Sequence, residues 1–160
     1  MLASAPIAPG KGHEAGRLLL SQLYRQATGE EMPPIALSPM GKPYFADSPW
    51  HFSISHTPNW VFVALEKHPV GLDAEELTRQ VNPKLAQKIL SPGEYAQYEA
   101  AEDKNRALLT FWVLKEAQGK LTGEGVRPWP NHTDFSLDDP RIFTRDGCIL
   151  ALLEDKPHAF

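Results

Sequence analysis

WHFSISHTPNWVFVALEKHPVGLDAE, residues 50–75, holds three short runs of alternating side chains. Trp50, Phe52 and Ile54 alternate with His51, Ser53 and Ser55. Val61, Val63 and Leu65 mark a second run. Val70, Leu72 and Ala74 alternate with Gly71, Asp73 and Glu75 in a third. A period of two is that of a strand with one buried face. The connections, Thr57-Pro58-Asn59 and Lys67-His68, are too short for a helical crossover, so the pattern predicts an antiparallel three-strand meander.

The flanks are helical. Leu20, Leu23, Tyr24 and Ala27 form one stripe and predict a helix over about 12–27, with Gly29 as its stop. A second segment starts at Pro83 and runs to Leu90. Ser91, Pro92 and Glu94 make a capping-box pattern at the start of a third. The longest helix spans about 104–121 on Ala107, Phe111, Leu114 and Leu121, and Gly123 lies just past its end. Candidate strands follow near 134–137, 141–144 and 148–154, with Arg145-Asp146-Gly147 as a hairpin turn. Prolines at Pro33-Pro34, between Pro39 and Pro49, and at Pro128-Pro130 separate elements. The order is that of an α+β fold, and it also suits two similar halves, each with helix and sheet.

The 160 residues suit one compact unit, and 42% hydrophobic with 22% charged residues is globular composition. A formal charge of −4 argues against a general nucleic-acid binder, and no apolar run reaches the roughly 20 residues that cross a bilayer. Met1 to Lys11 carries no apolar block, so a secretory signal is not expected. Cys148 is the single cysteine, which excludes an internal disulfide and fits a reducing cytoplasm.

Three constellations carry chemistry. Asp73 and Glu75 share a strand face, roughly 6.5–7 Å apart, and an oxygen-only pair suits a hard cation such as Mg²⁺. Glu116 and Lys120 stand at i and i+4 on the long helix, one turn after Trp112. His56, with Ser53 and Ser55, ends the first strand of the meander, at the edge where Asp73 and Glu75 end the third, about 10 Å away across two strand spacings. Lys42 and Arg17 are further candidates for phosphate. Taken singly, each of these reads more readily as a solvated charge or an incidental histidine than as a site.

Together the segments resemble the Sfp-type phosphopantetheinyl transferases. The resemblance rests on Gly16-Arg17, Gly41-Lys42-Pro43, Phe52-Ser53-Ile54-Ser55-His56-Thr57, Gly71-Leu72-Asp73-Ala74-Glu75 and Trp112-Val113-Leu114-Lys115-Glu116-Ala117-Gln118-Gly119-Lys120, five weak motifs in the family's order. It implies two similar α+β halves packed as a pseudo-dimer, residues 1–76 and 77–160, with coenzyme A in the cleft between them. It implies Mg²⁺ on Asp73, Glu75 and Glu116. It implies Ser55 and His56 at the 3′-phosphate of coenzyme A, Lys42 and Pro43 at the adenine end, Arg17 on a phosphate and Lys120 on the pyrophosphate.

Only 16 residues precede Arg17, so the family's opening strand is expected to be absent, with Lys11 and His13 replacing lost basic contacts. Thr57 stands where the family usually has serine, and Gly119 inside a helix costs about 1 kcal/mol against Ala.

The implied reaction moves phosphopantetheine from coenzyme A to a serine of an apo acyl or peptidyl carrier protein, releasing adenosine 3′,5′-bisphosphate. Asp73, Glu116 and Lys120 are its catalytic candidates, and Glu116 or a metal-bound water takes the serine proton. A monomer acting in the cytoplasm is expected, with neither nucleic acid nor membrane as partner. Lys84, Lys88, Lys104 and Arg106 could face an acidic carrier protein, though Glu94, Glu99, Glu102 and Asp103 make a mixed solvated face an equal reading. The main alternative function is a relative that binds coenzyme A or a carrier protein without transferring. A metal-dependent phosphohydrolase is the other.

Overall fold

A computed structural model describes residues 1–126 and 134–157. The Pro128-Pro130 break lies outside the described residues. Strand β1 (Leu2–Pro6) leads into helix α1 (Gly12–Thr28), followed by the short strands β2 (Ile35–Leu37) and β3 (Pro43–Phe45). Strands β4 (His51–His56), β5 (Trp60–Glu66) and β6 (Val70–Glu76) come next, then helices α2 (Lys84–Ile89), α3 (Pro92–Ala100) and α4 (Lys104–Thr122). Strands β7 (Ile142–Arg145) and β8 (Cys148–Glu154) complete the order. The chain is α+β.

The helix ends follow local chemistry. Gly29 and Gly123 close α1 and α4 in the left-handed conformation, at φ 77° and 78°. The Ser91 hydroxyl accepts from the Glu94 amide, and the Glu94 carboxylate accepts from the Ser91 amide, a complete capping box on α3. Asp146 and Gly147, at φ 52° and 72°, make the two-residue turn between β7 and β8.

The expected meander is not formed. One sheet has the order β1-β5-β4 and another β6-β8-β7, both antiparallel, while β2 and β3 make a separate ribbon. Strand β6 leaves its neighbour β5 and pairs with β8 from Val70↔Glu154 to Glu76↔Cys148. Alternation tells which face of a strand is buried; it does not name the strand beside it. The opening strand, expected to be missing, is present: β1 pairs along β5 from Leu2↔Ala64 to Pro6↔Trp60. Residues 134–137 form no strand, because side chains take their amides: Glu94 Oε2 accepts from the Phe135 N–H and Gln97 Oε1 from the Leu137 N–H.

Three apolar layers hold the elements. Leu20, Leu23 and Tyr24 of α1 pack on Phe52, Val63 and Leu65. Leu108, Phe111 and Leu114 of α4 pack near Ile149 and Leu153 of β8. Between these lies a core shared by both sheets, with Phe62 and Ala64 of β5 against Val70, Leu72, Cys148 and Leu150. Strand β5 is therefore buried on both faces, as its near-continuous apolar run requires. Among the described residues no helix is long and apolar enough to cross a membrane.

Candidate active site

Strands β4 and β6 lie side by side and run parallel, but no backbone ladder joins them. The serines of β4 do so. The Leu72 N–H donates to Ser53 Oγ at 2.9 Å and the Ala74 N–H to Ser55 Oγ at 3.1 Å. Both serines are buried, which explains polar residues at every second position of β4: they face β6, while Phe52 faces α1. His56 and the Asp73–Glu75 segment thus share one end of the molecule, with no strand between them.

Helix α4 comes unusually close to β6. A Cβ on Gly71 would lie 2.1 Å from the Ala117 carbonyl oxygen and 2.6 Å from the Leu121 nitrogen, so only glycine permits the approach. Gly119 has a similar reason, since its Cβ would meet the Gly125 backbone at 2.5 Å. The approach brings Lys120 down onto the junction. Its ammonium donates to Asp73 Oδ1 and the Leu72 carbonyl at 3.0 Å each, and to the Ile54 carbonyl at 3.2 Å. One cation thereby satisfies its three protons and ties β4, β6 and α4 together.

Asp73 is the buried centre. Ser55 Oγ donates to its Oδ1 at 3.2 Å, whereas its Oδ2 is buried with no hydrogen-bond partner among the described residues. Burial pushes the Asp73 carboxyl up to about 6; Lys120 opposes the shift, and Glu116 and Glu75 add to it. Half-buried Glu116 is raised for the same reason, with Lys120 opposing and Glu75 adding. These mutual repulsions put the three predicted carboxylates in one field. Their oxygens do not all fall within 4.8 Å of one another, the spread that a closed ligand cage would show. Glu75 is turned aside: Trp112 Nε1 donates to its Oε1 at 3.2 Å, and Arg79 pairs with the same oxygen.

Mg²⁺ fits this donor set. The ligands are oxygens alone, one of them is buried and unpartnered, and burial, with a smaller addition from neighbouring carboxylates, holds two carboxyls above their usual range.

A cavity of about 260 Å³ opens beside the carboxylates, lined among others by Lys42, Pro43, Phe52, Ile54, Glu116 and Lys120. Four predicted residues thus share one recess. Lys42 is also structural: its ammonium donates to the Leu121 carbonyl at 2.8 Å, at the negative end of the α4 dipole. Burial lowers its pKa. His56 is elsewhere, in a depression with Gly12, His13 and Thr57; a Cβ on Gly12 would touch its ring at 2.5 Å. Arg17 is exposed on α1 and pairs with no acid among the described residues. Ser55, implied at a phosphate, has its hydroxyl engaged with Asp73 and Ala74.

Two arrangements escaped sequence reasoning. Glu76 accepts from the Thr57 hydroxyl at 2.9 Å and from Asn59 Nδ2 at 2.8 Å, which pins the β4–β5 turn to β6. Lys115, inside the long-helix motif, is almost wholly buried and donates to Glu94 at 2.7 Å. Glu94 therefore does not belong to the solvated face on which its charge placed it. The capping box announced one of its bonds, but nothing local announced the partner from α4.

The profile of the 4'-phosphopantetheinyl transferase superfamily matches residues 69–151, more than half of the chain. The protein belongs to this superfamily. The matched stretch of this superfamily member runs from β6 into β8 and contains Asp73, Glu75, Glu116 and Lys120; Arg17, Lys42, Pro43, Ser55 and His56 precede it. The chain is similar to 4'-phosphopantetheinyl transferase gsp of Aneurinibacillus migulanus, 35% identical over 88 residues, which cover 54% of this chain and 36% of that protein. It is similar to 4'-phosphopantetheinyl transferase Sfp of Bacillus subtilis, 36% identical over 90 residues, covering 54% and 39%. A putative 4'-phosphopantetheinyl transferase of Haemophilus influenzae is 31% identical over 135 residues, covering 81% and 52%. The chain thus spans about two fifths to one half of these relatives.

Proposed function

We propose that this superfamily member transfers the 4'-phosphopantetheine group of coenzyme A to a serine of an apo acyl or peptidyl carrier protein, releasing adenosine 3′,5′-bisphosphate. The observation that carries the reading is buried Asp73, with one oxygen held by Lys120 and the other unpartnered, beside a cavity that Glu116 and Lys120 line. The relatives' names support the chemistry.

Mg²⁺, held by Asp73, Glu75 and Glu116, supplies Lewis-acid neutralisation of pyrophosphate charge when bound. The protein's own groups do the positioning. Lys120, its protons engaged by Asp73, Leu72 and Ile54, offsets charge on the leaving oxygen through its positive field. Lys42 and Pro43 border the adenine end. Ser55 and Lys120 hold the Asp73 carboxylate in place. Glu116, whose burial raises its basicity, accepts the proton of the carrier serine as its oxygen bonds to phosphorus and the pyrophosphate P–O bond breaks. His56 would meet the 3′-phosphate from the other depression, and Arg17 would aid phosphate binding from α1.

The two sheets support a pseudo-dimer reading. In each, a strand precedes a helix and two further strands follow it, and the first strand pairs with the last. The proposed halves are residues 1–76 and 77–160, with β6 of the first pairing with β8 of the second. A monomer in the cytoplasm, where buried Cys148 stays a free thiol, is the proposed setting. The short stretch before Arg17 motivates the non-catalytic alternative, and β1 supplies the opening strand that stretch was expected to lack.

The experiment is incubation with Mg²⁺, coenzyme A and several apo carrier proteins, read by intact mass. The proposal predicts one phosphopantetheine added to a serine and one adenosine bisphosphate released. Coenzyme A binding without any mass gain would favour the binding-only relative. Phosphopantetheine released to water without a carrier would favour a phosphohydrolase.

A further inference from the structure

A second cluster of metal-ligating side chains lies at the other end of β6 from Glu75. Glu66 ends β5, His68 sits in the β5–β6 turn, and Glu154 ends β8. One ligand atom from each lies within 4.8 Å of the others. His68 Nε2 and Glu154 Oε1 are 3.3 Å apart, yet that nitrogen is buried and makes no hydrogen bond among the described residues. At this spacing either a proton on the imidazole, which makes the contact an ion pair, or a metal ion joins the two atoms. Two ligands on a tetrahedral ion, with bonds of about 2.0–2.1 Å, stand about 3.3–3.4 Å apart, which is the spacing seen. His51, the cross-strand partner of Glu66, leaves the sheet on the same side but lies outside the group whose ligand atoms gather within 4.8 Å.

We propose that Glu66, His68 and Glu154 bind one divalent transition-metal ion, zinc by the chemistry of the set, with water as its fourth ligand. Mixed imidazole and carboxylate donors suit zinc better than magnesium or calcium. The ion ties the sheet of β4 and β5, through Glu66, to that of β8, through Glu154. Two cations compete for it: the Met1 amino group on Glu66 Oε1, and Lys156 on Glu154 Oε2 at 2.7 Å. Each takes a single oxygen, and Glu154 Oε1 still faces His68. This inference does not rest on the transfer reading.

The test uses the full chain carrying Asp73→Ala, which removes the buried carboxylate of the other site. Metal-stripped protein is dialysed against zinc and its metal content measured, and cobalt(II) is added separately as a spectroscopic probe. One zinc per chain and an intense tetrahedral cobalt band are expected. Adding His68→Gln or Glu154→Gln, each checked for native circular dichroism, should abolish both signals, and zinc should raise the Tm only where both residues are intact. Zinc content unchanged in these variants, no zinc retained by the parent, or a weak octahedral cobalt spectrum would overturn the proposal.

Discussion

Asp73 carries opposing demands. Its carboxyl titrates near 6 in the fold, above the ordinary 3.8 of an unfolded chain, because burial disfavours the charge more than Lys120 favours it. With no metal present, the stability tied to this group is complete below about pH 4 and is lost as pH rises through about 6, a loss of up to about 3 kcal/mol. Asp73→Asn removes that loss. Denaturation midpoints taken with a chelator on either side of pH 6 should show the variant gaining on the wild type as pH rises, and a constant gap would contradict the assignment. Lys115 poses a different problem. Its pair with Glu94 is among the most buried in the fold, so Lys115→Ala strands a carboxylate and should cost about 3–5 kcal/mol. Replacing both residues, Lys115→Met with Glu94→Gln, should cost less than the sum of the single changes in a denaturant double-mutant cycle. Additive losses would show that the two do not act as a pair.

At the scale of elements, the decisive contact is backbone on backbone: Gly71 against Ala117 and Leu121. Gly71→Ala must push α4 away from β6, and with it Glu116 and Lys120. Overpacking of this kind costs about 1–3 kcal/mol, and a shift near 1 Å at a reacting group lowers turnover on the order of 100-fold. Unchanged transfer kinetics in a folded Gly71→Ala protein would show that the helix's position does not matter. The helices were readable because stripes, caps and stop glycines are local signals. Strands β4, β5, β6, β7 and β8 were readable by alternation or apolar runs. Strand β1 was not, since Leu2-Ala3-Ser4-Ala5-Pro6 has no β-branched residue and only its place beside β5 makes it a strand. The ribbon of β2 and β3 was hidden by the prolines around it. The neighbour of β6 was hidden as well, because serine hydroxyls in place of a ladder leave no periodic trace. The motifs pointed to Asp73, Glu116 and Lys120, which the fold brings together, while the pairing of Lys115 with Glu94 depends on tertiary packing alone.

For the whole molecule, the shared core between the sheets joins β5 to β6 and β8 and makes independent unfolding of either half costly. Thermal unfolding should be one transition, coincident by tryptophan fluorescence and far-UV circular dichroism, and two separated transitions would deny a common core. Cys148 reports on the same layer: it is fully buried, and its thiol is pushed up to about 11, first by burial. Its reaction with a thiol reagent should therefore follow global unfolding. The site sits where this layer ends, so that α4, β4 and β6 converge on one buried carboxylate. The most direct measurement is the intact mass of an apo carrier protein after incubation with Mg²⁺, coenzyme A and either the wild type or Asp73→Ala. The account predicts a full shift by one phosphopantetheine with the wild type and none with the natively folded variant; an equal shift with Asp73→Ala would contradict it.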